Sequence, residues 1–450
     1  MRNLFYCVCS IILIIGFVAC NKEEGWNTDT DFRLSFSMDT LSFDTLFTGF
    51  GSTTMQFKVY NKSSKKAQLQ DVYLQNSNSA FRINVNGAIG NDFTDFEIGA
   101  SDSLFVFVEV ELKPNNSDDA VLLEDILVFN VNNKLQGVVL NAWAQDVVLV
   151  DNDITNSQNW TGNRPYLINN QISVAENVSL ALDEGTKVYF RKNAGLDVYG
   201  NIIVNGSFLN PVYLGSSRLE ELYDNVPGQW NGIHIHESSK NNSLSHFTIQ
   251  DGINGITYHG NAAEVELEYG ILRNFTQNGI ATTNVSVKAH DLLIANCGDE
   301  CLKVDGGNLE LFHSTLYNSW SFDVRTVPLI QVLNSSNHNV NIGNCIVWGS
   351  QANELWIDDA MSTTIENTLL KLSVSLKEEF TTTFTDCIFN ENPVFKSEED
   401  FDFNLSTTSP CIDAGKKSIA EMFSLDLQNS NRNMDDAPDL GVYEFKEAEE

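Results

Sequence analysis

Basic residues are scarce: 27 lysines and arginines stand against 60 aspartates and glutamates in 450 residues, a formal charge of −33. A balance that acidic argues against nucleic acid as a partner, because its phosphates would be repelled. It also makes an anionic polysaccharide an awkward substrate unless Ca²⁺ or a local basic patch intervenes. Charged residues make up only 19% of the chain while Asn, Ser, Thr and Gly are plentiful, a composition of β-rich exported proteins and not of helical bundles. The apolar run at residues 4–17 is too short for a comfortable transmembrane helix. Cysteine is sparse once Cys7, Cys9 and Cys20 are set aside; Cys297, Cys301, Cys345, Cys387 and Cys411 form an odd set without zinc-ligand spacing and with few histidines nearby. Cys297 and Cys301 are spaced to bridge across a turn, and the others read as small buried residues.

Arg2, that apolar run, Ala19 and then Cys20 follow the order of a secretory signal peptide. The cysteine directly after the cut makes the start resemble a bacterial lipoprotein signal, with Phe17 in place of the usual aliphatic residue. The resemblance implies acylation of Cys20, and several acyl chains anchor a protein stably. Asn21-Lys22-Glu23-Glu24 is similar to the lysine-plus-acids signal that sends lipoproteins to the outer face in one large phylum of Gram-negative bacteria. Asp39-Thr40-Leu41, Asp44-Thr45-Leu46 and Asp102-Ser103-Leu104 resemble the O-glycosylation sequon of that phylum. The implied localisation is the outer membrane, lipid-anchored and facing the cell exterior.

Two regions follow the signal (1–19) and a linker (20–30). Residues 31–150 alternate apolar and polar, as in Met55-Gln56-Phe57-Lys58-Val59-Tyr60, with Asn, Ser, Gly and Asp clusters between runs. That pattern predicts an antiparallel β-sandwich. The Tyr60-Asn61-Lys62-Ser63 segment and the strand ending at Leu112-Lys113-Pro114 resemble immunoglobulin-like modules of the Hydin and ASPM type, which implies a spacer or docking role.

From residue 160 to 415 short runs recur. Ile249, Leu272, Ile294 and Leu316 are separated by 23, 22 and 22 residues, and Asp251, Asn274, Asn296 and Asn318 follow two residues after each. A second column is Ile256, Ile280, Leu302 and Val324, and a third is Leu267, Val287 and Leu311. Three short strands per turn at this period predict a right-handed parallel β-helix. Its roughly eleven rungs at about 4.8 Å each make a rod near 50 Å long. Asn tolerates left-handed backbone and stacks its amide on the next rung. This ladder, Leu182-Asp183-Glu184-Gly185-Thr186 and Trp230-Asn231-Gly232-Ile233 resemble the pectin-lyase-like superfamily. Ser409-Pro410-Cys411 and Pro438-Asp439-Leu440-Gly441 resemble the closing cap of such helices, placing a cap and tail at 416–450. The fold class is therefore all-β, a sandwich followed by a solenoid.

Aligned by this period, Lys303 and Arg325 stack one rung apart in an outward row with Thr257, Ala281 and Trp356. Lyases of the superfamily abstract a proton with a Lys or Arg base while Ca²⁺ held by acidic residues neutralises the substrate carboxylate. That resemblance nominates Arg325 or Lys303 as base and Asp305, Asp323 and Glu354 as Ca²⁺ ligands; the alternative is ordinary charge pairing across rungs. A row of His246, Tyr269, Asp291 and His313 lacks nucleophile or metal spacing and reads as solvent-facing. Trp348 and Trp356 are candidates for stacking on sugar rings, or pack within rungs. The favoured reading is a surface lipoprotein that binds an extracellular ligand, a glycan above all, without demonstrable catalysis; a Ca²⁺-assisted polysaccharide lyase or other carbohydrate-active enzyme, and a structural or adhesion protein with a protein partner, are the alternatives.

Overall fold

A computed structural model describes residues 25–334, 337–358, 362–375, 383–434 and 437–447. Residues 1–24, Cys20 among them, lie outside the described residues. Among these, no helix is long and apolar enough to cross a membrane. The chain divides into two compact units, meeting in sequence at Asp146 and Val147.

The first unit is two five-stranded sheets. One orders its strands Ser35–Phe36, Met55–Tyr60, Ser103–Val110, Phe81–Val85, Ala88–Gly90. The other orders Thr40–Phe47, Lys134–Gln145, Val121–Val131, Ala67–Leu74, Asp92–Ile98. All pairings are antiparallel except that of Thr40–Phe47 with Lys134–Gln145. The alternation buries Phe57, Val59, Val106 and Val108 from one sheet against Leu69, Val72, Phe129 and Leu140 from the other. Asn61 is buried, and its amide donates to the carbonyls of Lys65 (2.8 Å), Ile98 (3.1 Å) and Gly99 (2.8 Å). The Tyr60-Asn61-Lys62-Ser63 segment therefore fastens a turn, which is a structural role and not a chemical one.

The second unit is a 24-stranded parallel sheet wound on itself, in which most strands pair with the third strand along the chain. Three faces result. The first runs from Val148–Val150 through Tyr166–Ile168, Lys187–Phe190 and Val212–Ser216 to Ile346–Gly349, Leu369–Leu370 and Ile388–Phe389. The second contains Gln171–Val174, Gly195–Val198, Ile233–Ile235, Leu302–Asp305, Ile330–Leu333 and Leu355–Ile357. The third contains Gln158–Trp160, Ser179–Asp183, Asn201–Asn205, Leu309–Phe312 and Asn339–Gly343. Inward side chains fill the lumen as one continuous core, where Trp230 stacks on Phe190 at 4.1 Å between ring centres. Gly232 takes φ +107 after Trp230, and a Cβ there would come within 2.5 Å of the Asn254 carbonyl, so the turn requires glycine.

The first column stands as read: Ile249, Leu272, Ile294 and Leu316 are in register, followed by Val347 and Leu370. Two columns need correction. Ile330, not Val324, follows Leu302, because residues 319–329 form an insertion that lengthens this coil; Val324 itself is exposed. In the third column Leu267 aligns with Ala289 and Leu311, while Val287 aligns with Val265 and Leu309. The side-chain period in a strand is 2, so both choices in that strand point inward and only pairing separates them.

The C-terminal segment does not merely close the coil. A hairpin of Phe395–Ser397 and Asp402–Leu405 and the stretch through Val442 lie against the outer side of the first face. Phe395, Phe403, Leu405, Cys411, Leu440 and Val442 pack on the outward side chains Leu293, Ala295, Tyr317, Ile346 and Leu369. Strands buried on both sides read as continuous apolar runs, and Leu292-Leu293-Ile294-Ala295 is one.

Candidate functional site

With the first face covered, the second face offers an outward row whose members are fixed by backbone register. Asp197 pairs with His234, His234 with Thr257, Thr257 with Ala281, Ala281 with Lys303, Lys303 with Gln331, and Gln331 with Trp356. Each step is about 4.8 Å. Trp356 is 40% exposed and donates from Nε1 to Asp358 Oδ1 at 3.1 Å. Lys303 reaches Glu300 at 3.6 Å. Thr257 and Ala281, the short side chains, lie between His234 on one side and Lys303, Gln331 and Trp356 on the other.

At the far end of the row the residues are organised more tightly. Asp197 accepts from Gln171 at 2.8 Å through one oxygen and meets His236 Nε2 at 2.8 Å through the other. Tyr199 stacks on His236 with ring centres 4.1 Å apart and planes at 11°. Burial holds His234 below its ordinary range, despite the opposing charge of Asp197. Beyond His236 the chain turns toward the third face around a cavity of about 420 Å³. Ile235, Tyr258, Val265 and Val285, all buried, line it together with His236, Glu237, Lys240 and His259.

The sequence alignment of Arg325 with Lys303 is overturned. Gln331 occupies the position beside Lys303, and Arg325 lies in the 319–329 insertion with its side chain buried. Its guanidinium forms a two-pronged pair with Glu354, Nη2 to Oε1 at 2.6 Å and Nη1 to Oε2 at 2.8 Å, and Nη1 also donates to the Val327 carbonyl at 2.7 Å. Glu354 accepts further from the backbone of Gln351 (2.7 Å) and Leu329 (3.2 Å). A guanidinium so engaged, away from solvent, cannot take a proton from a substrate. The Ca²⁺ set does not assemble either. Glu354 spends its oxygens on Arg325, Asp305 accepts from Asn334, and Asp323 is exposed and accepts from the Val324 backbone. Among the described residues no group of three or more His, Cys, Asp or Glu is placed to hold a metal ion.

The two tryptophans separate. Trp348 belongs to the first face, packs against the C-terminal segment and carries Lys371 Nζ 4.9 Å above its ring, whereas Trp356 stands on the second. Cys297 and Cys301 are buried thiols and form no bridge; burial, together with the neighbouring Cys297 sulfur, pushes the Cys301 thiol well above its usual range.

The ladder is real over three of its four members. Asn274 Nδ2 donates to Asp251 Oδ1 (3.1 Å) and Asn296 Nδ2 to Asn274 Oδ1 (3.0 Å). All three have left-handed φ, 65°, 61° and 59°. Asn318 departs, donating instead to the Cys297 carbonyl at 2.7 Å, where the insertion begins. Burial pushes Asp251 up to about 6 against the hydrogen bonds from Asn274 and Gln250. A raised folded pKa contributes stability that is complete below the ordinary carboxylate range and lost as pH rises through about 6. The stability of the wild type relative to Asp251→Asn should therefore fall by roughly 2–3 kcal/mol between pH 4 and pH 7 in parallel urea titrations. A difference that stays flat with pH would show that Asp251 ionises without cost.

The row of His246, Tyr269, Asp291 and His313 is corrected from solvent-facing to partly interior. All four take left-handed φ, and Asp291 and His313 are fully buried. Asp291 pairs with Arg432 of the C-terminal segment at 2.6 Å, and Asn344 donates to His313 at 3.1 Å. Asp197, Tyr199, His236 and His259 were missed in the sequence. Their signal was the alternation His234-Ile235-His236 around a buried Ile235, directly after the Trp230-Asn231-Gly232 turn.

No family model and no curated protein matches the chain. Solved structures match at low identity. A protein of unknown function from Porphyromonas gingivalis W83 is 12% identical over 30% of this chain and 58% of its own, with a TM-score of 0.20. A family 123 glycoside hydrolase from Clostridium perfringens is 10% identical over 28% of this chain and 26% of its own, with a TM-score of 0.19. The catalytic unit of a thermostable GH87 α-1,3-glucanase from Streptomyces thermodiastaticus strain HF3-3 is 11% identical over 74% of this chain and 75% of that one, with a TM-score of 0.27. The chain spans 58% of the first and 26% of the second, and its function is read from its own geometry.

Proposed function

We propose that this is a surface lipoprotein, acylated at Cys20, whose immunoglobulin-like spacer precedes a right-handed β-helix of the pectin-lyase-like type that binds an extracellular glycan along its second face. The observation that carries the reading is the unbroken outward row from Asp197 to Trp356. An exposed indole supplies an apolar plate for a sugar ring, and the hydrogen-bonding side chains of Asp197, His234, Thr257, Lys303 and Gln331, set at multiples of ~4.8 Å along the row, suit a repeating hydroxylated chain. Of the two nominated bases, Arg325 is locked to Glu354 while Lys303 stays on the row beside Gln331, and the nominated Ca²⁺ ligands are engaged elsewhere.

Glycan-array screening of the full chain, followed by calorimetry on the hits, tests it. Trp356→Ala and Lys303→Ala should each weaken binding about tenfold, close to 1.4 kcal/mol, while Trp348→Ala on the covered face should leave it unchanged. Affinity indifferent to Trp356 would move the site elsewhere, and an array without hits would remove the glycan from the reading.

A further inference from the structure

The cavity beside His236 lies to the side of the outward row and offers a ligand a polar surface. Glu237 and Lys240, both exposed, come from the turn after Ile233–Ile235, and His259 and Glu264 come from the next coil. Ile235, Val265 and Val285 also line it but are almost fully buried, so the polar side chains are what a ligand would meet. Their charges are mixed. Glu264 is paired with Lys288 Nζ at 3.1 Å, which leaves one carboxylate, Glu237, and one ammonium, Lys240, with the imidazoles of His236 and His259. In a chain of formal charge −33 this is a locally balanced set that favours no ion of either sign. A sugar hydroxyl both donates and accepts, so carboxylate, ammonium and imidazole together suit the several hydroxyls of an uncharged ring.

His236 joins this cavity to the row. It lines the one, and its Nε2 lies 2.8 Å from Oδ1 of Asp197 in the other, with Tyr199 stacked on its ring at 4.1 Å. The junction is not at an end of the row. Ser173 pairs with Asp197 on one side, while Thr257, Ala281 and Lys303 follow His234 on the other. A chain lying on the row would pass the cavity and continue, and only a residue hanging sideways from it would enter. We infer that the cavity is a subsite for an uncharged sugar branch, so that the glycan this face selects is a branched one. The volume of about 420 Å³ lies within the range of ligand pockets, ~300–1,000 Å³. This rests on the glycan reading and adds to it the feature that is selected.

Calorimetry of the full chain compares linear oligosaccharides with branched ones on the same backbone. Cellotetraose is set against xyloglucan heptasaccharide, which adds xylosyl branches, mannotetraose against its galactosylated form, and any array hit against its branched or unbranched counterpart. At least one branched member should bind tenfold or more tightly than its linear partner. Glu237→Gln combined with Lys240→Ala should cut that preference below threefold and leave linear affinity and the thermal midpoint unchanged, because both side chains are exposed and neither stands on the row. Affinities within threefold in every pair, or a preference that survives the double variant, overturn the subsite. If linear glycans bind through Trp356 and gain nothing from a branch, the subsite falls and the row stands. An array without hits removes both.

Discussion

Replacing Arg432 by alanine should release the C-terminal segment from the first face and cost about 3–5 kcal/mol, the usual penalty for removing one member of a buried ion network. Arg432 is fully buried, with Nη2 on Asp291 Oδ1 at 2.6 Å, Nη1 on Glu444 Oε1 at 2.6 Å, and Nη2 also donating to the Val442 carbonyl at 3.3 Å. Without it Glu444 remains in the interior with no cation, and Asp291 keeps only His290. Detachment would bare Leu293, Ala295, Tyr317, Ile346 and Leu369, so hydrogen exchange should accelerate there first and limited proteolysis should cut within 390–434. A variant with wild-type exchange at these strands would mean apolar packing alone holds the segment.

The same junction sets a pH dependence. Burial pushes Glu444 up to about 7, against the pull of Arg432. Burial would depress His290, but its hydrogen bonds to Asp291 (2.8 Å) and Glu268 (3.2 Å) outweigh that and raise it to about 9. Phe423 of the C-terminal segment stacks on the His290 ring at 4.2 Å. Both folded pKa values are raised, so both contributions are complete in acid and fade as pH rises, Glu444 between about 4.5 and 7 and His290 between about 6.5 and 9. Glu268 runs the other way: the His290 hydrogen bond lowers it, and its contribution is lost as pH falls through the acidic range. Segment docking should therefore be tighter at pH 6 than at pH 9.

Arg325→Ala should destabilise the coil by about 3–5 kcal/mol as well, for the same reason. Glu354 would be left buried with only the Gln351 and Leu329 amides, and the 319–329 insertion would lose its clamp. A Cβ at Gly349 would run into Glu354, so the backbone is shaped around this pair. Arg325→Met combined with Glu354→Leu should recover most of the loss, since an apolar pair of similar volume avoids the uncompensated charge. Chemical denaturation distinguishes the cases. A single variant as stable as wild type would return Arg325 to the list of residues free to do chemistry.

What could be read in the chain followed from local repetition. Inward side chains of a parallel coil must be apolar at one strand position per turn, so Ile249, Leu272, Ile294 and Leu316 declared the period and the faces. Asn274 and Asn296 declared the corner, because asparagine tolerates left-handed backbone better than most residues with a side chain. Arg325 misled through the same repetition: it falls 22 residues after Lys303, yet the intervening coil is lengthened, and spacing carries no record of an insertion. The pairing of Asp291 with Arg432 spans 141 residues, and a cavity forms only where separate coils meet. Charge burial and cavity lining depend on what packs across such distances, so the tertiary structure alone decided which polar residues are fastenings and which remain open to a ligand.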